Sequence, residues 1–424
     1  MTSSFELPSD PVTLDNLAIP GPLIGSDEAF AKTSLTIRDG LFSSVPAGNR
    51  IDMKGHIALP ALVDMHTHLD KGHIWPRQPN PDGSFDGALV AVGSDREANW
   101  SAEDVRRRMQ FALESAYAHG TKAIRTHLDS VPPQEQISWP VFDEVRSDWK
   151  GKIDLQASCL VGIDRVDPDG DGAFGQTADI VARADGMLGA VTYPMPDLDA
   201  RLESFFAMAS RRNLATDFHV DETGDASVAT LRSIAQMVLK TGFDAPVVCG
   251  HCCSLAVQDE SEADRTMDLV AEAGLSIVSL PLCNLYLQDR SSNGRTPRWR
   301  GITLVHELKA RGIPVAFASD NTRDPFYAYG DLDMVEVIRE ATRIAHLDHS
   351  TDDWVTAFTT APAAMCHFEY TPFAAGSPAD LILFGARNWN EFMARPQSDR
   401  TVIRDGAITK AALPNYATLD DLME

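Results

Sequence analysis

Eight short apolar runs, separated by stretches of helical periodicity, restrict the fold more than any other feature of the sequence. They cover residues 61–66, 122–128, 154–161, 188–193, 215–220, 246–251, 275–281 and 313–319. Each is nearly continuous in its apolar character, the pattern of parallel strands buried on both faces. Between them, Ser101-Ala102-Glu103-Asp104 resembles a capping box, and Val105, Met109, Ala112 and Ala116 follow at helical spacing up to Gly120. Leu202-Phe205-Phe206-Ala209, Leu231-Ile234-Ala235-Val238, Ile302-Val305-Leu308 and Met334-Val337-Ile338 repeat that spacing. Eight such alternations predict an α/β fold, a closed (β/α)8 barrel. An open doubly wound sheet is the other arrangement, but no Gly-x-Gly-x-x-Gly follows an early strand.

The two ends read differently. Pro22-Leu23-Ile24, Ser34–Arg38 and Arg50-Ile51-Asp52 read as short strands, with Asp39-Gly40 as a turn. Ala379–Phe384 and Thr401–Arg404, followed by Asp405-Gly406, have the same texture. The expectation is a small β-sandwich domain built from residues 1–60 and 367–424, attached to a barrel spanning 61–366. A length of 424 residues suits one large core with a smaller attachment.

The first run ends in Asp64-Met65-His66-Thr67-His68. Alternate residues of a strand share a face, so His66 and His68 can reach one point, as a metal ion requires. Functional groups of such barrels stand at the C-terminal ends of strands. There the second strand carries Arg125-Thr126-His127-Leu128-Asp129, and the fifth carries His219-Val220-Asp221-Glu222. The sixth ends in Gly250-His251 and the eighth in Ser319-Asp320-Asn321. Five of the twelve histidines thus fall on one side of the barrel.

A catalytic metal site uses three or four protein ligands and keeps one position for water, which His66, His68, His219 and Asp320 satisfy. His251 then orients that water and helps to deprotonate it. Glu222, three residues beyond a ligand, is placed to carry a proton to a ring nitrogen. His127 is expected to line the cavity and touch substrate, whereas Lys71 reads as a supporting residue. The fourth strand ends in Val191-Thr192-Tyr193-Pro194 and offers no lysine to bridge two metals, which favours a single ion. His56, His73, His119, His306, His346, His349 and His367 read as packing or surface residues, with His73 left open because it follows the metal strand.

The acidic excess, 61 Asp and Glu against 37 Lys and Arg for a net −24, disfavours nucleic acid and anionic membranes as partners. No apolar stretch is long enough to span a bilayer, and the N-terminus lacks the plan of a signal peptide. Six cysteines without a Cys-x-x-Cys pair fit reduced thiols in the cytoplasm. A homo-oligomer is left open.

Taken together, Leu59–Asp70, Arg125–Asp129, His219–Glu222, Gly250-His251, Pro281–Arg290 and Ser319–Phe326 resemble the amidohydrolase superfamily, and within it the bacterial cytosine deaminase-like group, over about residues 34–410. The resemblance implies one zinc or iron ion on His66, His68, His219 and Asp320, with Glu222, His251 and Asp320 catalytic. It implies hydrolytic deamination of a small nitrogen heterocycle, with Asn284, Gln288, Asn321 and Phe326 matching the substrate pocket. Two departures concern cytosine itself. The third-strand Gln of cytosine deaminases is replaced by apolar Cys159-Leu160-Val161-Gly162, with Gln156 lying earlier, and their second Asp by Asn321. Relatives that cleave alkylamino-triazines share Ser-Asp-Asn-x-Arg-Asp but lack the Glu found here at 222. Cleavage of an alkylamine or ring amide, from a triazine- or creatinine-like substrate, is therefore the alternative. A non-catalytic scaffold would have lost the ligands, which are all present.

Overall fold

The computed structural model describes residues 7, 11–291, 293–349 and 353–424. Strands Val12–Pro20 (β1), Phe30–Arg38 (β2), Leu41–Ser43 (β3), Asn49–Asp52 (β4) and Ile57–Pro60 (β5) precede eight central strands. These are Leu62–Thr67 (β6), Thr121–Asp129 (β7), Asp154–Leu160 (β8), Leu188–Thr192 (β9), Thr216–Val220 (β10), Val247–His251 (β11), Ser276–Ser279 (β12) and Val315–Phe317 (β13). Leu381–Phe384 (β14), Thr401–Arg404 (β15) and Ala407–Ile408 (β16) complete the set.

The central strands are all parallel and form two sheets, β6-β7-β8 and β9 to β13. The sheets meet at both edges. Asp320, just past β13, bridges to Thr67 of β6, and its N–H donates to His66 O at 2.8 Å. At the other seam Met187 N–H donates to Ala157 O (2.9 Å) and Val191 N–H to Val161 O (2.8 Å). Helices intervene between strands, and the arrangement is consistent with a (β/α)8 barrel.

The helix Ala102–His119 shows why these segments fold as they do. Ser101 Oγ accepts from Asp104 N–H, and the buried Val105, Met109, Ala112, Leu113 and Ala116 form one apolar stripe. Gly120 ends the helix at φ +105°, and its carbonyl accepts from Leu62 N–H at 3.1 Å. A Cβ there would lie 2.4 Å from Ile382 Cδ1 of β14.

Both chain ends enter one eight-stranded mixed sheet, in the order β16-β15-β14-β5-β1-β2-β3, with β4 parallel to β1. All its described strands are hydrogen-bonded into this single sheet. Two strand expectations are corrected. Pro22-Leu23-Ile24 falls on a 3-10 turn, Gly21–Leu23, because Pro22 has no N–H for a ladder; the strand lies earlier, at Val12–Pro20. The seventh run stops at Ser279, and Pro281 starts the helix Pro281–Leu287. The helix Phe85–Asn99, capped by Ser84 Oγ, follows β6 and contributes to the wall of a cavity at the strand ends. Among the described residues no helix is long and apolar enough to cross a membrane.

Candidate active site

His66 lies on β6 and His68 one residue past its end, on the same face, while β10 contributes His219. Gly250 of β11 pairs with His219, and a Cβ there would come within 2.9 Å of His66 Cε1. Only a glycine leaves the His66 ring room to lean across. The result is a tight convergence. His66 Nε2 is 3.1 Å from His219 Nε2, which is 3.4 Å from His68 Nε2. Asp320 Oδ1 stands 3.2 Å from His68 Nε2 and 3.7 Å from His66 Nε2.

These separations match donor atoms arranged tetrahedrally on one cation, which sit about 3.3 Å apart when each bond is about 2.0–2.1 Å. The chemistry agrees. Burial and neighbouring groups hold all three imidazoles well below their usual pKa, so they are neutral and direct lone pairs at one point. Asp320 is fully buried, at φ +64°, and among the described residues its carboxylate oxygens have no hydrogen-bond partner. Unpaired buried polar atoms are costly, and a divalent cation would satisfy all four at once.

Beside this cluster the chain turns sharply at Asp221, φ +49°, whose carboxylate accepts from Thr230 N–H (2.9 Å), Thr230 Oγ1 (2.6 Å) and Leu231 N–H (3.1 Å). That cap on the helix Thr230–Thr241 aims Glu222 back into the cavity. Burial and the charge of Asp320 push the Glu222 carboxyl well above its ordinary pKa. Asn284 Nδ2 donates to Glu222 Oε1 (3.2 Å) and to His251 Nδ1 (3.0 Å), while Gln288 Nε2 donates to the Glu222 carbonyl (3.2 Å). With Nδ1 accepting, the His251 proton is assigned to Nε2. Burial holds His251 down at about 3, so it is neutral.

Asn321 Nδ2 donates to Asp324 Oδ2 (2.7 Å), Cys283 Sγ lies 3.6 Å from Asn321 Oδ1, and Asp324 in turn accepts from Phe326 N–H (2.8 Å). His68, His219, His251, Glu222, Asn321 and Phe326 all face one cavity of about 340 Å³. Asn284 and Gln288 stand behind Glu222. His127 is fully buried off the cavity wall, its ring centroid 3.9 Å from that of His66. His73 packs edge-on against Phe111, also away from the wall. A larger recess of about 630 Å³, between the helices Met334–Ala345 and Trp389–Ala394, shares none of these residues.

Sequence reasoning missed the helix Phe85–Asn99, which lines the cavity with Phe85, Leu89, Val92 and Arg96. Asp129, read only as part of a motif, and Lys71 also reach the wall. Gln156 points elsewhere: its Nε2 donates to Cys366 O (2.8 Å) and its Oε1 accepts from Arg125.

Residues 170–410 match the group described as the amidohydrolase family. Over its whole length the chain is 53% identical to a pterin deaminase of Rhizobium rhizogenes, covering 100% of both proteins. It is 24% identical to N-isopropylammelide isopropyl amidohydrolase of a Pseudomonas species, over 68% of this chain and 69% of that one. Among solved structures, 5-methylcytosine deaminase from Klebsiella pneumoniae shares the fold, with a TM-score of 0.77 at 23% identity, covering 95% and 98% of the two chains.

Proposed function

The chain belongs to the amidohydrolase family, and we propose that its own reaction is the hydrolytic removal of the 2-amino group of a pterin as ammonia. As a member it is a hydrolase of carbon–nitrogen bonds other than peptide bonds, a metal-dependent deaminase of a heterocycle. The observation that carries the finer reading is Glu222, whose carboxyl is held above its ordinary pKa by burial and the charge of Asp320, facing the cavity beside the converging His66, His68, His219 and Asp320.

His66, His68, His219 and Asp320 would hold one divalent ion, zinc or iron, which when bound would lower the pKa of a water towards neutrality. Glu222 protonates the ring nitrogen next to the amino-bearing carbon, which makes that carbon electrophilic. His251, with its proton on Nε2, orients the attacking oxygen by donating to it. Asn284 fixes both groups through its two N–H bonds. Asp320 takes one proton from the attacking water and passes it to the departing amine, the remaining hydroxyl proton of the adduct returns to Glu222, and a dioxo ring leaves with ammonia.

The pocket supports a fused ring over a single one. Where cytosine deaminases read the base with a glutamine, the cavity here has an apolar slot lined by Leu160, Val161 and Gly162 together with Val131 and Val191. A one-ring substrate leaves that slot unfilled, whereas the second ring of a pteridine covers it. Full-length similarity to a pterin deaminase supports the same choice.

The test is ammonia release from pterin, cytosine, 5-methylcytosine, guanine and an alkylamino-triazine, with metal content measured on the same preparation. The expected kcat/KM for pterin exceeds that for cytosine by about a hundredfold or more. A preference for cytosine, or no ammonia from pterin with the metal bound, refutes the reading.

A further inference from the structure

Asp320, a metal donor and proton carrier in the proposed reaction, stands near the start of a long loop, residues 318–333, between β13 and the helix Met334–Ala345. Asn321 and Phe326 of the cavity wall belong to the same loop. Its backbone is left-handed at three non-glycine residues, Asp320 (φ +64°), Arg323 (+49°) and Leu332 (+55°). Side chains disfavour that region, so the shape persists only where neighbours hold it. On one side the turn after β6 does so: His73 N–H donates to Thr322 O at 3.0 Å and Trp75 N–H to Arg323 O at 2.8 Å.

On the other side the loop is gripped by a segment remote in sequence. Tyr416 begins the 3-10 segment Tyr416–Leu422. The Arg323 guanidinium lies 4.2 Å from the centre of its ring, and Arg323 Nε has no hydrogen-bond partner among the described residues. Tyr416 Oη donates to Asp331 Oδ1 (3.1 Å), so ring and hydroxyl pin the loop near its start and near its end. The same ring stacks on Phe111 at 5.4 Å, and Phe111 meets His73 edge-on at 4.7 Å. A closed circuit results. His73, Phe111, Tyr416 and Arg323 touch through their side chains, and Thr322 returns to His73 through the backbone.

The gripping segment is itself anchored. Arg107 donates to both oxygens of Asp421 (2.6 and 2.7 Å) and to Thr418 O (2.7 Å), while Leu419 is buried. Arg77 Nη1 donates to Leu422 O (2.9 Å), and the same guanidinium holds Asp95 of the helix Phe85–Asn99. Tyr416 is 45% exposed, so its ring adds little to the core. What it supplies is position.

We propose that Tyr416 is a positioning residue for the deaminase: its ring, joined to Phe111 and Arg323, holds the loop in the shape that aims the Asp320 carboxylate at the metal. This rests on the proposed metal site and reaction. Without the ring, Arg323 is released and the left-handed turn relaxes. The metal is then held less firmly and the proton carrier is misplaced, while the groups that meet the pterin ring are largely unchanged.

The experiment compares the parent, Tyr416→Ala and Tyr416→Phe as zinc-loaded enzymes. It reads the rate at which a coloured chelator strips the zinc, kcat and KM for ammonia release from pterin, and Tm. For Tyr416→Ala, zinc loss is expected to be faster by about tenfold and kcat per bound zinc lower by about tenfold, the scale for a residue that orients a metal ligand. KM should move by less than about threefold. Tyr416→Phe keeps the ring and loses only the hydroxyl, and should stay within about threefold of the parent throughout. Arg323→Met should reproduce the alanine losses, with the double variant no worse than either single one, and it carries the test should Tyr416→Ala fail to fold. A Tyr416→Ala enzyme that melts earlier but keeps parental zinc release and kcat overturns the assignment. So does a Tyr416→Phe enzyme as impaired as the alanine variant. Absence of pterin turnover in the parent would instead refute the proposed reaction, and the zinc-release rates would still decide the part played by Tyr416.

Discussion

Glu222→Gln separates the acid from everything around it. The amide keeps the size of the side chain and an oxygen that still accepts from Asn284 Nδ2, now 3.2 Å away. The four converging donors, His66, His68, His219 and Asp320, are untouched, so metal content stays at the parent level. What is lost is the proton delivered to the ring nitrogen. A positioned general acid is worth about 10²–10⁴ in rate, or about 3–5 kcal/mol of barrier. Ground-state binding changes by no more than one neutral hydrogen bond, about 1 kcal/mol, which moves KM by about fivefold at most. The expected signature is therefore a collapse of kcat with KM nearly preserved, read by steady-state ammonia release alongside metal analysis. The pH profile adds a second signature. Burial and Asp320 raise the Glu222 pKa, so the working protonated form prevails below that value and activity falls as pH rises through it. That alkaline limb should vanish in the variant. A Glu222→Gln enzyme keeping more than about a tenth of parental kcat with full metal would refute the acid role.

Removing one ligand by His219→Ala should strip the metal and abolish turnover, with circular dichroism unchanged; retained stoichiometric metal would contradict the convergence of donors. Asp221→Ala removes the buried cap from the helix Thr230–Thr241 and should lower stability by about 2 kcal/mol, seen in urea unfolding, while also reducing kcat because Glu222 loses its aim. Gly120→Ala combines a left-handed backbone with a Cβ 2.4 Å from Ile382, and should cost about 2 kcal/mol or more, read as a lower Tm with unchanged KM. All six cysteines are buried, and burial pushes the Cys159 and Cys366 thiols up to about 12. The folded protein should therefore resist iodoacetamide at pH 8 and label only after denaturation, with rapid native labelling as the contrary result.

Strands were legible because burial on both faces leaves a continuous apolar run that needs no partner to be recognised. His66 and His68 followed from strand geometry, and the helix Ala102–His119 from its cap, stripe and terminal glycine. The helix Phe85–Asn99 left no comparable mark. It contains Gly87 and Gly93, exposes Leu89 and Val90, and buries Asp95, which takes Arg77, Asn99 and Trp100 as partners. Its apolar residues therefore spread over more than one face, and Arg96 meets Asp129 only in three dimensions. Asn284 was named from a motif, but the helix that carries it spans only Pro281–Leu287, too short to show a period. The tautomer of His251 lies beyond any sequence, since it depends on a hydrogen bond between residues 33 positions apart.

Strand β5 runs beside β14, with Ile57 opposite Phe384 and Pro60 opposite Leu381. More than three hundred residues separate those partners along the chain. At synthesis rates of about 5–20 residues per second, the first of them waits on the order of tens of seconds for the second to leave the ribosome. Throughout that interval one edge of the nascent N-terminal sheet is bare, and it is a template for any other extended chain nearby. A segment translated late is thus what closes off one translated early. Yield of active protein should depend on how the growing chain is sheltered as well as on how stable the finished enzyme is.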